Sequence, residues 1–86
     1  MADLRGLVEL VGRALADEPD AVRVHESERR GMKVYELQVA ARDLGRVIGR
    51  QGRTAAALRT LLAVAAEAED AGRQVTLDIR EAAGEA

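Results

Sequence analysis

Residues 46–53 carry the most informative pattern in the chain and read Arg46-Val47-Ile48-Gly49-Arg50-Gln51-Gly52-Arg53. A pair of glycines follows two apolar residues and precedes a run of helix-forming residues. Glycine has no Cβ, so the main chain there can approach a ligand closely, and the following helix would aim its free N–H groups at that ligand. The amides after Gly49 and Gly52, together with the side chains of Arg50 and Arg53, therefore predict a phosphate-binding loop.

Positive charge is concentrated around this loop. The chain has 86 residues and a net charge of −2, yet residues 42–59 hold five arginines and one aspartate, a local balance of +4. The rest of the chain therefore carries −6. A basic patch on an acidic body is typical of a small phosphate-binding surface and limits indiscriminate binding to polyanions. A solvated helical face is the alternative interpretation.

Length and composition restrict the classes of function. A chain of this size fits one domain and buries about 60–65% of its unfolded surface, so a large enclosed catalytic cavity is not expected. The chain has no cysteine, which excludes disulfides and thiolate sites. No apolar run reaches the about 18 residues of a membrane span, and the N-terminus lacks the pattern of a signal peptide. We expect a cytoplasmic protein with a shallow binding face.

Apolar periodicity predicts the elements of the first half. Leucines and valines at helical spacing behind Asp3, a candidate N-cap, predict a helix over residues 3–16. Alternation around Val24 predicts a short strand, which a turn over residues 28–31 would close. The next strand alternates with period two and places Tyr35 on its inward face.

The second half adds two helices and a strand. Residues 41–48 predict a short helix that opens near Asp43 and runs into the glycine loop. A longer helix begins at Arg53, with Gly72 as its stop. Alternation over residues 75–79 predicts the final strand. The fold class is therefore α+β, with the order α-β-β-α-α-β.

This order and a longer motif resemble a known module, the type II KH domain. The matching run is Asp43-Leu44-Gly45-Arg46-Val47-Ile48-Gly49-Arg50-Gln51-Gly52-Arg53-Thr54-Ala55. It is similar to the stand-alone bacterial KH proteins of the KhpA type. The resemblance implies a three-stranded mixed sheet packed on three helices. We expect a single KH domain over residues 1–80 and a flexible tail over residues 81–86, because the last residues have nothing to bury.

The resemblance also implies a site for single-stranded RNA, in a groove that holds about four nucleotides. Carried over by position, the RNA-binding residues are Leu44, Arg46, Val47, Ile48, Gly49, Arg50, Gln51, Gly52 and Arg53. The loop would clamp the sugar-phosphate backbone, while the aliphatic members and strand residues 37–40 would form the floor for bases. Ala55 stands where the family often has a bulky aliphatic residue, which predicts a shallower groove or looser packing.

Composition argues against other nucleic-acid folds. RRM, OB and cold-shock domains stack bases on exposed aromatic rings, and the only aromatic residue here is Tyr35, which is predicted to point inward. A P-loop needs a wider glycine spacing followed by lysine and Ser or Thr, which Gly52-Arg53-Thr54 does not supply. An aliphatic groove beside a glycine loop remains.

Three classes of function stay open. The first is a single-stranded RNA-binding module, acting as a small post-transcriptional regulator or RNA chaperone. The second is an interaction subunit that pairs with itself or with a larger KH-containing protein. The family is associated with such a partner, and with RNA regulation and cell-envelope growth, hence cell shape, in some bacteria.

The third class, an enzyme, is not expected. His25 and Ser27 share a strand face but have no positioned acid or oxyanion pocket. The acids around Pro19 predict a helix-ending turn and not a cation site. No metal or cofactor is implied, and no membrane partner.

The long helix has a wide apolar stripe. Its centre is formed by leucines, and its edge extends through Ala57, Val64 and Ala68 to a width of about 160°, beyond the ≳ 100° typical of a surface helix. Either the first helix covers this edge, or a second copy or a KH-containing partner does.

Overall fold

Helix α1 spans Leu4–Leu15 and lies against the sheet, close to the predicted bounds. The computed structural model describes residues 3–69 and 74–82. Asp3 occupies the N-cap, but its side chain accepts no capping hydrogen bond. The first turn is closed by the main chain alone, because the Leu7 N–H donates to the Asp3 carbonyl at 2.9 Å.

Three strands form one mixed sheet. These strands are β1 (Arg23–Arg29), β2 (Met32–Val39) and β3 (Val75–Glu81). Strand β2 is central, with β1 antiparallel on one side and β3 parallel on the other. The predicted mixed topology is therefore confirmed, and β1 and β3 are the two edges of the sheet.

The β1–β2 hairpin is tighter than the sequence predicts. Arg29 pairs with Met32, so the turn consists only of Arg30 and Gly31. Both residues have positive φ, at 53° and 81°. Such a pair is the signature of a type I′ turn, whose twist matches that of the flanking strands. The strands therefore extend to the turn on both sides.

Two helices and the glycine loop connect β2 to β3. A 3₁₀ turn over Ala41–Asp43 leads into α2 (Leu44–Ile48). A second 3₁₀ turn over Arg50–Gly52 then leads into α3 (Arg53–Glu69). This confirms the predicted helix pair and the start of the long helix. Gly72, predicted to end that helix, lies outside the described residues.

The core lies between the three helices and one face of the sheet. Tyr35 is 4% exposed and points into this layer as predicted. Fully buried side chains from β2 and α2 lie at its centre, those of Leu37, Val39 and Val47. Leu62 contributes from α3. The element order and this two-layer packing are those of a type II KH domain.

Strand β3 continues into the segment that the sequence predicts as a tail. Glu81 is its last residue, and the Ala82 N–H donates to the Val39 carbonyl at 2.7 Å. Main-chain pairing needs no side chain to bury, so an apolar pattern does not reveal it. Residues 83–86 lie outside the described part of the chain.

Candidate functional site

The glycine loop is a sharp turn that only glycine accommodates at its first position. Gly49 has φ 82° and ψ 169°, a region that is essentially restricted to glycine. A Cβ there would lie 2.8 Å from the Thr54 amide nitrogen, closer than real Cβ contacts. Gly52 also has positive φ, at 72°, but the space beside it is open. The first glycine therefore shapes the loop, and the second leaves room for a ligand.

The turn determines which amides can meet a ligand. The Gly49 N–H donates to the Gly45 carbonyl at 2.8 Å, and the Gly52 N–H donates to the Gly49 carbonyl at 3.0 Å. The Arg53 N–H donates to the Arg50 carbonyl. Because the first N–H groups of a helical turn have no acceptor within it, the amides of Arg50 and Gln51 are the ones presented outward. The Arg53 amide, which the sequence predicts as a phosphate contact, is therefore already bonded within the turn.

The loop side chains surround these amides with positive charge. Arg50, Gln51 and Arg53 are all exposed. Gln51 has φ 56°, which places its amide side chain beside the start of α3, where Arg53 Nη2 donates to its Oε1 at 3.1 Å. The positive end of the helix dipole adds to the two guanidinium charges. This end of the molecule is suited to an anion.

Two other arginines of the basic segment are already paired. Arg46 Nη2 lies 3.2 Å from Asp17 Oδ2, and Arg42 Nε lies 3.1 Å from Glu18 Oε2. All four side chains are substantially exposed, so each pair contributes about 0–1 kcal/mol and can be exchanged for another anion. Arg46, which the sequence assigns to RNA, therefore has an internal competitor.

Asp43 connects the acidic segment after α1 to α2. It is 1% exposed, and it accepts hydrogen bonds from the Asp17 and Glu18 N–H groups, each at 3.0 Å. The bond from Asp17 lowers the pKa of Asp43 most, with further lowering from Glu18, Arg42 and Arg46, against the opposing effect of burial. The sequence predicts a helix start at Asp43, whereas its side chain makes no capping bond to α2.

The aliphatic residues of α2 divide between core and surface. Val47 is fully buried, whereas Leu44 and Ile48 are half-buried. Residues four positions apart lie on one face of a helix and adjacent residues do not, so Leu44 and Ile48 lie together beside the buried Val47. Val47 therefore supports the surface from beneath, and Leu44 and Ile48 retain area that a base could contact.

Strand β3 forms the edge of the sheet beside α2 and α3, and both helices pack against it. One side of β3 pairs with β2, and no described strand pairs with the other side. Leu37 and Val39, in the segment expected to line the groove, are fully buried because β2 is the central strand. Ala55, on the first turn of α3, is also buried, at 3% exposed.

One contact joins α3 to this edge. Arg59 Nε donates to the Leu77 carbonyl of β3 at 2.9 Å. The sequence gives Arg59 only as part of the basic segment, and no pattern in the chain indicates its partner on β3.

None of the helices in residues 3–69 is both long and apolar enough to cross a membrane. Within the described ranges, no group of three or more His, Cys, Asp or Glu side chains could hold a metal ion.

Sequence relatives are found among small bacterial proteins. An Aquifex aeolicus protein named RNA-binding protein KhpA is 46% identical over 81 residues, which covers 94% of this chain and all of that protein. The Leifsonia xyli protein of the same name is 50% identical over 70 residues, covering 80% of this chain and 86% of the relative.

A solved structure shares the fold. It is that of Era in complex with MgGDPNP and nucleotides 1506–1542 of 16S ribosomal RNA, with a TM-score of 0.61 and 21% identity. The match covers 91% of this chain and 29% of the Era chain. Residues 5–79 match the family described as KhpA/KhpB, KH domain. With this match over most of its length, the chain belongs to the KhpA/KhpB family of KH-domain proteins.

Proposed function

We propose that this protein binds single-stranded RNA through its glycine loop and the groove beside β3, as a small post-transcriptional regulator or RNA chaperone. The observation that carries the proposal is the turn over Arg50–Gly52, which presents the amides of Arg50 and Gln51 between exposed guanidinium groups. The names of the relatives, RNA-binding protein KhpA, support it.

Contact with the RNA divides into two parts. The loop amides, Arg50 and Arg53 hold the sugar-phosphate backbone, which carries no sequence information by itself. Unstacked bases then lie against the half-buried aliphatic surface of Leu44 and Ile48. Only unpaired bases can be splayed into such a groove, so the surface selects single strands.

Charge reversal in the loop tests the backbone contact. We expect the double variant Arg50→Asp with Gln51→Asp to abolish RNA binding in a gel or filter assay. Both side chains are exposed, and aspartate tolerates the left-handed conformation of Gln51, so the fold should persist.

A matched control lies at the other end of the sheet. Arg30 is also exposed and has φ 53°, but it lies in the β1–β2 turn. Arg30→Asp should leave affinity within about twofold, whereas Arg50→Asp alone should weaken it strongly. Unchanged affinity in the loop variants would contradict the proposal.

Salt dependence provides a second measure. Neutralising about two phosphates of a single strand gives a slope near −1.4 in a plot of log affinity against log salt concentration. Titrations at several salt concentrations measure this slope directly. A slope near zero would mean that the contacts are not ionic.

Competition between RNA forms tests the groove. Single-stranded RNA should displace a labelled single strand far better than a duplex of the same sequence, because paired bases cannot reach Ile48. Equal competition by duplex would reduce the site to a general polyanion surface.

A second candidate function is protein pairing, favoured by one feature of the surface. Leu10 is 66% exposed, Val64 63% and Leu61 46%. Leu61 also lines an apolar crevice between α1 and α3. The crevice is formed by Leu7, Val8, Val11, Leu37, Leu58, Leu61, Leu62 and Leu77. Covering such an apolar surface with a second copy of the chain, or with a larger KH-containing partner, is more favourable than leaving it in contact with water.

A further inference from the structure

We infer that Arg59 is a specificity-determining residue, which selects a base with two adjacent hydrogen-bond acceptors at the β3 edge of the groove. This inference rests on the proposed RNA binding and goes beyond the backbone contacts of the loop. Bases with such a pair are guanine, through O6 and N7, and cytosine, through O2 and N3. Uracil and adenine alternate donors with acceptors along their edges and lack one.

The first support is the direction of the main-chain groups in β3. The Lys33 N–H donates to the Gln74 carbonyl at 2.9 Å, and the Ala82 N–H donates to the Val39 carbonyl at 2.7 Å. In a parallel pair, alternate residues bond to the neighbouring strand, so the even-numbered residues of β3 face β2. The carbonyl of Leu77 therefore points to the free edge, where α3 lies beside it.

The second support is how Arg59 is held there. Its Nε donates to the Leu77 carbonyl at 2.9 Å, in a bond that is partly shielded from water. This bond uses the Nε hydrogen and fixes the plane of the guanidinium, while the donors on the two terminal nitrogens remain. In the described part of the chain, no carboxylate forms an ion pair with Arg59.

The third support is the chemistry of the guanidinium, whose two terminal nitrogens form a rigid fork that carries only donors. Such a fork bonds well to two neighbouring acceptors and poorly to an edge that offers a donor. Arg59 also occupies the Leu77 carbonyl, which could otherwise accept a bond from the amino group of adenine.

The position along α3 separates this contact from the loop. Arg59 lies six residues after Arg53, which is about 9 Å along the helix axis. A strand whose phosphate is held at the loop would therefore place a different nucleotide near Arg59. Backbone binding and base selection are thus assigned to different residues.

The test uses oligouridine and the same oligomer with one central guanosine, cytidine or adenosine, each titrated by fluorescence anisotropy. The unmodified protein should bind the guanosine and cytidine oligomers roughly fivefold or more tightly than oligouridine, while adenosine gives no gain. Arg59→Lys keeps the charge but lacks the fork. It should lose the preference and keep its affinity for oligouridine within about threefold. Arg13→Lys, on the exposed side of α1, is the matched control and should retain the preference.

Each other outcome overturns the inference. Persistence of the preference in Arg59→Lys would show that another group reads the base, and an equal loss on all four oligomers would make Arg59 a phosphate contact. Equal binding of all four by the unmodified protein, with loop variants still defective, would reject base selection while the proposed function stands. If no oligomer binds, both the base selection by Arg59 and the proposed RNA binding are rejected.

Discussion

Asp43, whose carboxylate is shielded from water, fixes the start of α2 against the segment that follows α1. Both of its oxygens accept main-chain N–H bonds, from Asp17 and Glu18. We expect Asp43→Asn to lower the midpoint of thermal unfolding by several degrees, because the new NH₂ group would face an N–H donor and leave it unsatisfied. Asp20→Asn, the same change at an exposed residue, is the control and should have little effect.

The stabilisation from Asp43 should depend on pH. Its pKa in the folded protein lies below the ordinary value of 3.8, so the unfolded chain takes up a proton first as the pH falls. The stabilisation is therefore complete above the unfolded pKa, which is close to this ordinary value, and disappears as the pH falls through the folded pKa. In urea titrations, the difference between the unmodified protein and Asp43→Asn should shrink over that window. A difference that stays constant would mean that the charge of Asp43 plays no part.

The two glycines of α2 and its loop provide a comparison at single residues. Gly49→Ala should destabilise the protein by about 1–3 kcal/mol, because φ 82° is strained for alanine and its Cβ would meet Thr54. Gly45→Ala has no atom within 4 Å of the new Cβ and should be neutral or stabilising, since alanine favours a helix. Chemical denaturation measures both. Equal effects would show that the backbone at position 49 is not constrained.

At the scale of elements, exposed ion pairs join the acidic segment after α1 to the basic segment around α2, and under the proposed function they would compete with RNA. Asp17 and Glu18 hold Arg46 and Arg42 in exposed ion pairs. Asp17→Asn with Glu18→Gln should tighten RNA binding a few-fold and steepen the salt slope by up to about 1.4, as two more arginines become available. The main-chain bonds to Asp43 do not involve these side chains.

A charge-matched control separates this local effect from net charge. Glu9→Gln with Glu67→Gln removes the same charge from α1 and the far part of α3. If both double variants tighten binding equally, the gain comes from overall charge, and Arg42 and Arg46 have no specific role.

Local patterns predict the elements of this chain well. The strand patterns place Val24 of β1 and Tyr35 and Leu37 of β2 on inward faces, and all three are buried. The order of helices and strands also matches the prediction. The contacts between distant segments are different. The bonds from Asp17 to Asp43 and from Arg59 to Leu77 join residues far apart in the chain, and no spacing rule links them. Even within the loop, only the folded turn shows that the Arg53 amide is already bonded.

At the scale of the whole molecule, the glycine loop and the exposed apolar residues of α1 and α3 belong to different regions. Leu10, Leu61 and Val64 are exposed, whereas Leu58 and Leu62 of the same stripe turn toward the core. The core, to which α1 contributes Val8, therefore covers one edge of the wide stripe on α3 and leaves the other open. Pairing through the open edge would be compatible with RNA bound at the loop.

Val64→Glu tests this pairing. We expect the unmodified protein to sediment as a dimer at high micromolar concentration, and Val64→Glu to sediment as a monomer, because two buried glutamates would face each other across a two-fold contact. Since the Val64 side chain is 63% exposed, the variant should unfold at nearly the same temperature as the unmodified protein.

Ala57→Glu, on an exposed position of the same helix nearer the loop, shows how far the contact extends. A monomer without any substitution would exclude the homodimer and leave a larger KH-containing protein as the partner to test. A Val64→Glu variant that unfolds would instead make Val64 part of the core of the single domain.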